Sequence, residues 1–391
     1  MAMPSDLSPP TTKAHASLHS FRQWTMVHAL PLWATAGFDR AYGGFHERLF
    51  PDGTPDAAAP RRTMVQARQI YVYAHAAALG WYPQGLPLAQ TALETLLARA
   101  RSPGGRPGYV YSVSPDGGVA DPVRDSYTHA FVILAFAWLH RASGDGQLRG
   151  LIDEVLAFVD EHLTAPDGTL YEGAPRRLPR RQNPHMHLYE AMLALREVAD
   201  HPEAAARAER LRAHLEGRFL DPRTRTIGEF FDDAWAPRAD DDSVEPGHHA
   251  EWSWLLHRDA RLAGRPPAPL AAHFLAFAAD GADPETGFVL DGVSRGNAPR
   301  LRSRRIWPQT ELAKAWLAAH EQGHAGALEA ADRILGAVRR TYLSGPVSGG
   351  WIDKFDEAGV PVDAPMPAST LYHLFSAAAE VERILAPAAP G

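Results

Sequence analysis

Six short glycine-aromatic segments recur along this chain at intervals of roughly 60 residues, and that period constrains the fold more than any other feature. The copies are Gly43-Gly44-Phe45-His46, Gly108-Tyr109-Val110-Tyr111, Gly168-Thr169-Leu170-Tyr171, Ile227-Gly228-Glu229-Phe230-Phe231, Gly287-Phe288-Val289-Leu290 and Gly349-Gly350-Trp351-Ile352. Each alternates enough to be a short strand or hairpin arm, often beside an Asp-Gly or Glu-Ala-Gly turn. The interval is too long for a small solenoid unit and fits one hairpin plus two helices.

A helical pattern opens after each copy, at Met64-Val65-Gln66, Asp125-Ser126-Tyr127, Asn183-Pro184-His185, Pro246-Gly247-His248, Trp307-Pro308-Gln309 and Pro367-Ala368-Ser369. A second, more charged helix usually follows, for example over residues 147–163, 202–219 and 326–342, with Leu, Ala and Val at spacings of three and four. Six helix pairs can stack as an open solenoid or close into a ring. No polar capping repeat is evident at either end, which favours closure. The predicted fold is therefore all-α: an (α/α)6 barrel of six helix hairpins, with short β-hairpins in the loops on one face. Residues 13–385 are expected to form one domain. Residues 1–12 and 386–391 are expected to be tails.

Composition narrows the function. The net charge is −7 and the pI about 6.2, which argues against nucleic acid or an anionic membrane as the main partner. No cysteine is present, so thiolate nucleophiles, disulfides and cysteine metal sites are excluded, and a reducing, cytoplasmic setting fits. No apolar run is long enough to span a bilayer. There is no P-loop, no Gly-X-Gly-X-X-Gly opening a helix, no Gly-X-Ser-X-Gly and no His-Glu-X-X-His.

Polar and aromatic residues gather at the inner-helix starts, which a ring brings to one face. His248 and Glu251, three apart, share a helix face and read as a general base with an orienting carboxylate, against the alternative of a buried structural histidine. His249 points elsewhere and reads as structural. Asn183, His187 and Glu190 can share another face, although Asn183 alone reads as an N-cap. Arg68 stands in an apolar helix and needs a partner or a pocket. Tyr127 and Trp307 begin helices, where an aromatic face can stack on a sugar or pack into the core. His373, in an apolar helix, reads on its surroundings alone as a core histidine.

As a set, Met64-Val65-Gln66-Ala67-Arg68-Gln69, residues 183–191, Pro246-Gly247-His248-His249-Ala250-Glu251-Trp252, Trp307-Pro308-Gln309-Thr310-Glu311 and Tyr372-His373 resemble the N-acylglucosamine 2-epimerase family, from about Phe21 to Leu385. The resemblance implies an (α/α)6 barrel. It also implies that His248 and His373 are two acid/base histidines and that His187 is a third in the pocket. Arg68, Tyr127, Asn183, Glu251 and Trp307 would surround a sugar, with Arg238 and Trp351 from loops at its edge. Trp252 after Glu251 looks like the mannose isomerase branch.

The expected activity is interconversion of unphosphorylated D-mannose and D-fructose through a cis-enediolate, without metal or cofactor. His373 would be the C–H base and His248 the acid/base for ring opening. The expected partner is the sugar alone, on a monomer or homodimer. The alternatives are a sugar 2-epimerase, an (α/α)6 glycoside hydrolase using two of Glu190, Glu251 and Glu311, or a non-catalytic sugar-binding protein.

Overall fold

The computed structural model describes residues 15–238 and 243–386. The proposed N-terminal tail, and all of the proposed C-terminal tail except Ala386, lie outside the described residues. In chain order the helices are α1 (Ala16–Trp24), α2 (Leu30–Thr35), α3 (Thr63–Ala78), α4 (Gly85–Arg99), α5 (Ser126–Ser143), α6 (Gln147–Phe158), α7 (Asn183–Ala194), α8 (Ala204–His214), α9 (Pro246–Leu262), α10 (Pro269–Asp280), α11 (Ile306–Glu321), α12 (Ala327–Thr341) and α13 (Thr370–Leu385). A π-turn, Thr25–Ala29, joins α1 to α2.

The odd-numbered helices from α3 to α13 form the inner ring. Each packs on the next, and α13 returns to α3. Inner helices are buried nearly all round: α3 exposes little from Thr63 to Ala76. Outer helices bury one stripe, as α12 does with Ala327, Ala331, Leu335 and Val338. That contrast is what the two hydrophobic patterns predict, and it yields an (α/α)6 barrel.

Short antiparallel ladders close the ring a second time, at the N-terminal ends of the inner helices. Arg61–Arg62 pairs with Ser112–Val113, Arg124–Asp125 with Gly173–Ala174, Arg180–Arg181 with Phe230–Phe231, and Ser243–Val244 with Gly292–Ser294. Arg304–Arg305 pairs with Lys354–Phe355, and Met366–Pro367 returns to Arg48–Leu49.

Each glycine-aromatic copy docks on the chain leaving the preceding outer helix. The N–H groups of His46, Val110, Tyr171, Gly228, Leu290 and Ile352 donate to the carbonyls of Gly37, Ala100, Leu163, Phe219, Gly281 and Tyr342. A side chain from the first turn of an inner helix then clips most copies. Nε2 of His129, His185 and His249 accepts from the N–H of Tyr109, Leu170 and Ile227 at 3.0, 2.8 and 2.9 Å. Gln66 and Gln309 accept from Phe45 and Val289 at 2.8 Å. The histidine clips donate from Nδ1 to a carbonyl four residues earlier, which fixes their tautomer. Burial lowers the pKa of His129 and His249 to about 4 and that of His185 to about 3. These neutral histidines are structural staples, as expected for His249.

Candidate functional site

Arg68, Tyr127, Asn183, His187, His248, Glu251, Trp307 and His373 line one cavity of about 280 Å³ at the inner-helix mouths. Glu245, Arg305 and Asp353 join them at the rim. Trp307 neighbours both candidate acid/base groups: its ring centroid lies 5.2 Å from that of His248 and 5.4 Å from that of His373.

His248 owes its charge state to a break in the repeat. Two residues beyond the clipped position, copies one, three and five carry Glu47, Glu172 and Asp291. These bind the arginine that precedes the next inner helix, Arg62 at 2.5 Å, Arg181 at 2.7 Å and Arg305 at 3.0 Å. In copy four the arginine is replaced by Glu245, and the carboxylate of Glu229 turns to His248 Nδ1 at 2.9 Å. Burial disfavours the imidazolium, but the charges of Glu229 and Glu245 and the hydrogen bond to Glu229 outweigh it and push the His248 pKa up to about 9. On its other side Asn183 Nδ2 lies 2.9 Å from Nε2, and Asn183 Oδ1 has no hydrogen-bond partner. An amide can offer oxygen to the imidazolium or nitrogen to the neutral ring, so Asn183 can follow the proton. Asn183 is not the N-cap of α7, because Gln182 occupies that position.

His373 has the opposite character. Its Nδ1 lies 2.7 Å from Glu311 Oε1, and burial together with Arg68, Lys314 and His187 holds its pKa well below the ordinary value. A neutral ring that donates from Nδ1 leaves its Nε2 lone pair as the basic atom. His187 is likewise neutral, lowered to about 4 by burial, and donates to Glu190 at 3.0 Å. Glu190 also accepts from the Tyr372 hydroxyl.

Glu251 is fully buried near Glu190 and Glu311, and burial with those charges raises its pKa well above 4.5. Its Oε1 has no hydrogen-bond partner. It is therefore a neutral acid that can donate to a ligand oxygen. Arg68 donates to the Tyr127 hydroxyl at 2.7 Å and the Ser369 carbonyl at 3.3 Å, and lies against the rings of Phe131 and Tyr372 at 4.1 and 4.7 Å.

Two predicted residues stand apart from the cavity. Trp351 is buried and stacks on Trp33 at 5.1 Å, so it packs α2 rather than a ligand. Arg238 is exposed and does not line the cavity; it adjoins residues 239–242, which lie outside the described residues. Trp252 is also outside the cavity wall. It stacks on Tyr189 and donates to Gln182 Oε1 at 2.8 Å, and Gln182 donates to Glu229 at 3.1 Å. The basic run at 176–181 serves structure: Arg180 lies over Trp235 and Arg181 pairs with Glu172.

His187, Glu190 and Glu251 bring possible ligand atoms within 4.8 Å of one another, as do Glu251, Glu311 and His373. In both groups the histidine Nδ1 is already bonded to a carboxylate, and the Lys314 ammonium lies 2.6 Å from Glu311. The donor set is thus arranged as hydrogen-bonded histidine–carboxylate dyads.

Sequence reasoning had not singled out Glu229, Glu245, Arg305, Asp353 or Lys314. Aligning the six copies by their clip residue would have exposed Glu229 and Glu245, because there a second carboxylate takes the arginine's place opposite the first.

A protein of Rhizobium meliloti (strain 1021) named mannose-6-phosphate isomerase is 36% identical over 95% of this chain and 98% of its own. A D-mannose isomerase of Thermobifida fusca is 30% identical, over 78% of this chain and 81% of its own. A crystal structure of a D-mannose isomerase superposes with a TM-score of 0.84 at 21% identity, covering 97% of this chain and 100% of that one. The family profile of N-acylglucosamine 2-epimerase (GlcNAc 2-epimerase) matches residues 43–377. The chain belongs to the N-acylglucosamine 2-epimerase family and is an enzyme of its isomerase and epimerase kind.

Proposed function

We propose that this chain is an aldose–ketose isomerase that interconverts unphosphorylated D-mannose and D-fructose by histidine acid/base catalysis. The observation that carries this reading is the placement of two histidines beside one indole, each with Nδ1 on a buried carboxylate. His248 is an acid at neutral pH and His373 a base.

His248 passes a proton from O1 to the ring oxygen as the pyranose opens, and ends protonated as it began. His373 Nε2 then removes the C2 proton. The C2–H electrons form the C1=C2 bond while the carbonyl pair moves to O1, which His248 protonates. Arg68, Asn183 and the neutral Glu251 face the resulting charge. Return of the proton from His373 to C1, with loss of the O2 proton back to His248, gives the ketose. No step calls for a metal ion or a redox cofactor. The indole of Trp307 offers a stacking face for the sugar.

The cavity is near the lower end of small-molecule pockets, about 300 Å³, which suits one sugar unit. Its guanidiniums are already engaged. Arg305 pairs with Glu245 at 2.9 Å and Asp291 at 3.0 Å, and Arg68 is held by Tyr127 and Ser369. With the carboxylates of Glu245 and Asp353 also at the rim, the mouth favours a neutral sugar over a phosphate ester. The Rhizobium and Thermobifida relatives both carry isomerase names, which supports ketose formation over C2 inversion.

The test is kcat/KM for D-mannose, D-mannose 6-phosphate, N-acetylglucosamine and cellobiose. D-mannose should be preferred by at least about tenfold, with fructose as product. Preference for the phosphate ester would transfer the reading to the activity named for the Rhizobium relative. Glucose or an epimerised disaccharide as main product would make the chain an epimerase.

A further inference from the structure

Lys314 is a lysine in the wall of the barrel core, one turn beyond Glu311 on α11, and its side chain is fully buried. Nζ lies 2.6 Å from Glu311 Oε2 and 3.7 Å from the centroid of the Trp254 ring. The ammonium has no in-line hydrogen-bond acceptor. It is held by charge and by the indole face. Its neighbours on the helix, Ala313, Ala315 and Leu317, are ordinary core residues. A buried charge is unfavourable at such a position unless its partner needs it.

The partner is Glu311. An ionised Glu311 can only accept a hydrogen bond, so the His373 proton must sit on Nδ1, and Nε2 keeps its lone pair. A protonated Glu311 can donate instead. The ring could then carry its proton on Nε2, where it cannot remove a proton from carbon. Burial raises the Glu311 pKa above its ordinary value, and Lys314, by charge and hydrogen bond, is the largest influence pulling it back. The other charges around the dyad do not replace the ammonium. Glu190 from α7 works against an ionised Glu311, His187 favours it less than Lys314 does, Glu251 from α9 is itself pushed toward the neutral acid, and Arg68 from α3 is committed to Tyr127.

We propose that Lys314 is a positioning residue of the reaction: its ammonium keeps Glu311 a pure acceptor, which fixes His373 as the Nδ1–H tautomer with Nε2 open to the sugar. The inference rests on the reading of His373 as the carbon base.

The test uses the full chain with Lys314→Met, which keeps the length and apolar stem of the side chain. ¹⁵N-histidine NMR, with the His373 signals assigned by their loss in His373→Asn, reads the tautomer without any turnover. Wild type should show His373 protonated on Nδ1, and Lys314→Met should show a mixed or Nε2-protonated ring. In the sugar assay kcat should fall about 100-fold, with KM within about threefold. A folded Lys314→Met protein with the wild-type tautomer and kcat within about threefold of wild type would overturn the proposal.

The double variant Lys314→Met/Glu311→Gln removes the whole buried pair, so it decides the matter if the single variant does not fold. It should be no less active than Glu311→Gln alone. A further loss of more than about tenfold would mean that Lys314 acts independently of Glu311. Absence of sugar turnover in wild type would sink the isomerase reading, whereas the NMR comparison would still judge Lys314.

Discussion

Glu229 Oε2 lies 2.9 Å from His248 Nδ1, and this contact joins the fourth glycine-aromatic copy to the mouth of α9. At the equivalent place in three other copies the carboxylate binds an arginine. One substitution in the repeat, Glu245 for that arginine, thus converts a structural ion pair into a support for an acid.

Glu229→Gln should test that conversion. Without this carboxylate the burial penalty gains weight, and the His248 pKa should drop from about 9 toward or below its ordinary 6.5. A reaction that needs imidazolium is lost as pH rises through that pKa, so the alkaline limb of the kcat/KM profile should move down by about two units. At pH 8 activity should fall roughly tenfold or more, with a smaller loss at pH 6. An unmoved alkaline limb would show that His248 is not the acid.

The neutral histidine clips predict acid lability. His185 has a pKa of about 3 in the folded chain, against an ordinary 6.5. A group depressed on folding contributes stability above 6.5, and that contribution is lost as pH falls toward the folded value. At pH 5 one such histidine costs about 2 kcal/mol relative to pH 7. Gln66 and Gln309 make the same clip without titrating. His185→Gln should therefore narrow the stability gap between pH 7 and pH 5 by about 1–2 kcal/mol, measured by urea unfolding at both pH values. An unchanged gap would show that this clip does not couple to protonation.

Trp307→Ala should raise KM about tenfold through loss of the stacking face, and should also lower kcat because both histidines lose the ring beside them. Trp307→Phe should recover most of both. Equal kinetics for the Ala variant and wild type would remove Trp307 from the site.

Exhaustive chelation should leave turnover unchanged, since Nδ1 of His187 and of His373 is bound to a carboxylate and Lys314 supplies positive charge among them. Loss of activity that Mn²⁺ or Zn²⁺ restores would assign the buried carboxylates a metal instead.

The architecture was legible because it is periodic. Two hydrophobic patterns, one all-round and one striped, alternate with six glycine-aromatic copies, and the ring closes through α13 on α3 as that count implies. Much of the cavity wall was legible as well, since helix starts converge in a ring. His373 was different. Its own helix is apolar, and its significance lies in Glu311 and Lys314 on a neighbouring helix, 62 residues away for Glu311. Trp351 misled for a related reason: its place beside a glycine pair fits a loop at the mouth, but Trp33 of α2 reaches behind the copy and takes the ring into the core. Side-chain direction at such positions is set by tertiary packing, which no local pattern encodes.

The most direct test of the central claim is NMR of D-mannose incubated with the enzyme in D₂O. The account predicts fructose as the product, carrying at C1 the hydrogen transferred from C2 together with deuterium that exchanges onto the His373 ring, and neither product nor exchange with His373→Asn. Glucose as the main product, or turnover or exchange by His373→Asn at near the wild-type rate, would contradict it.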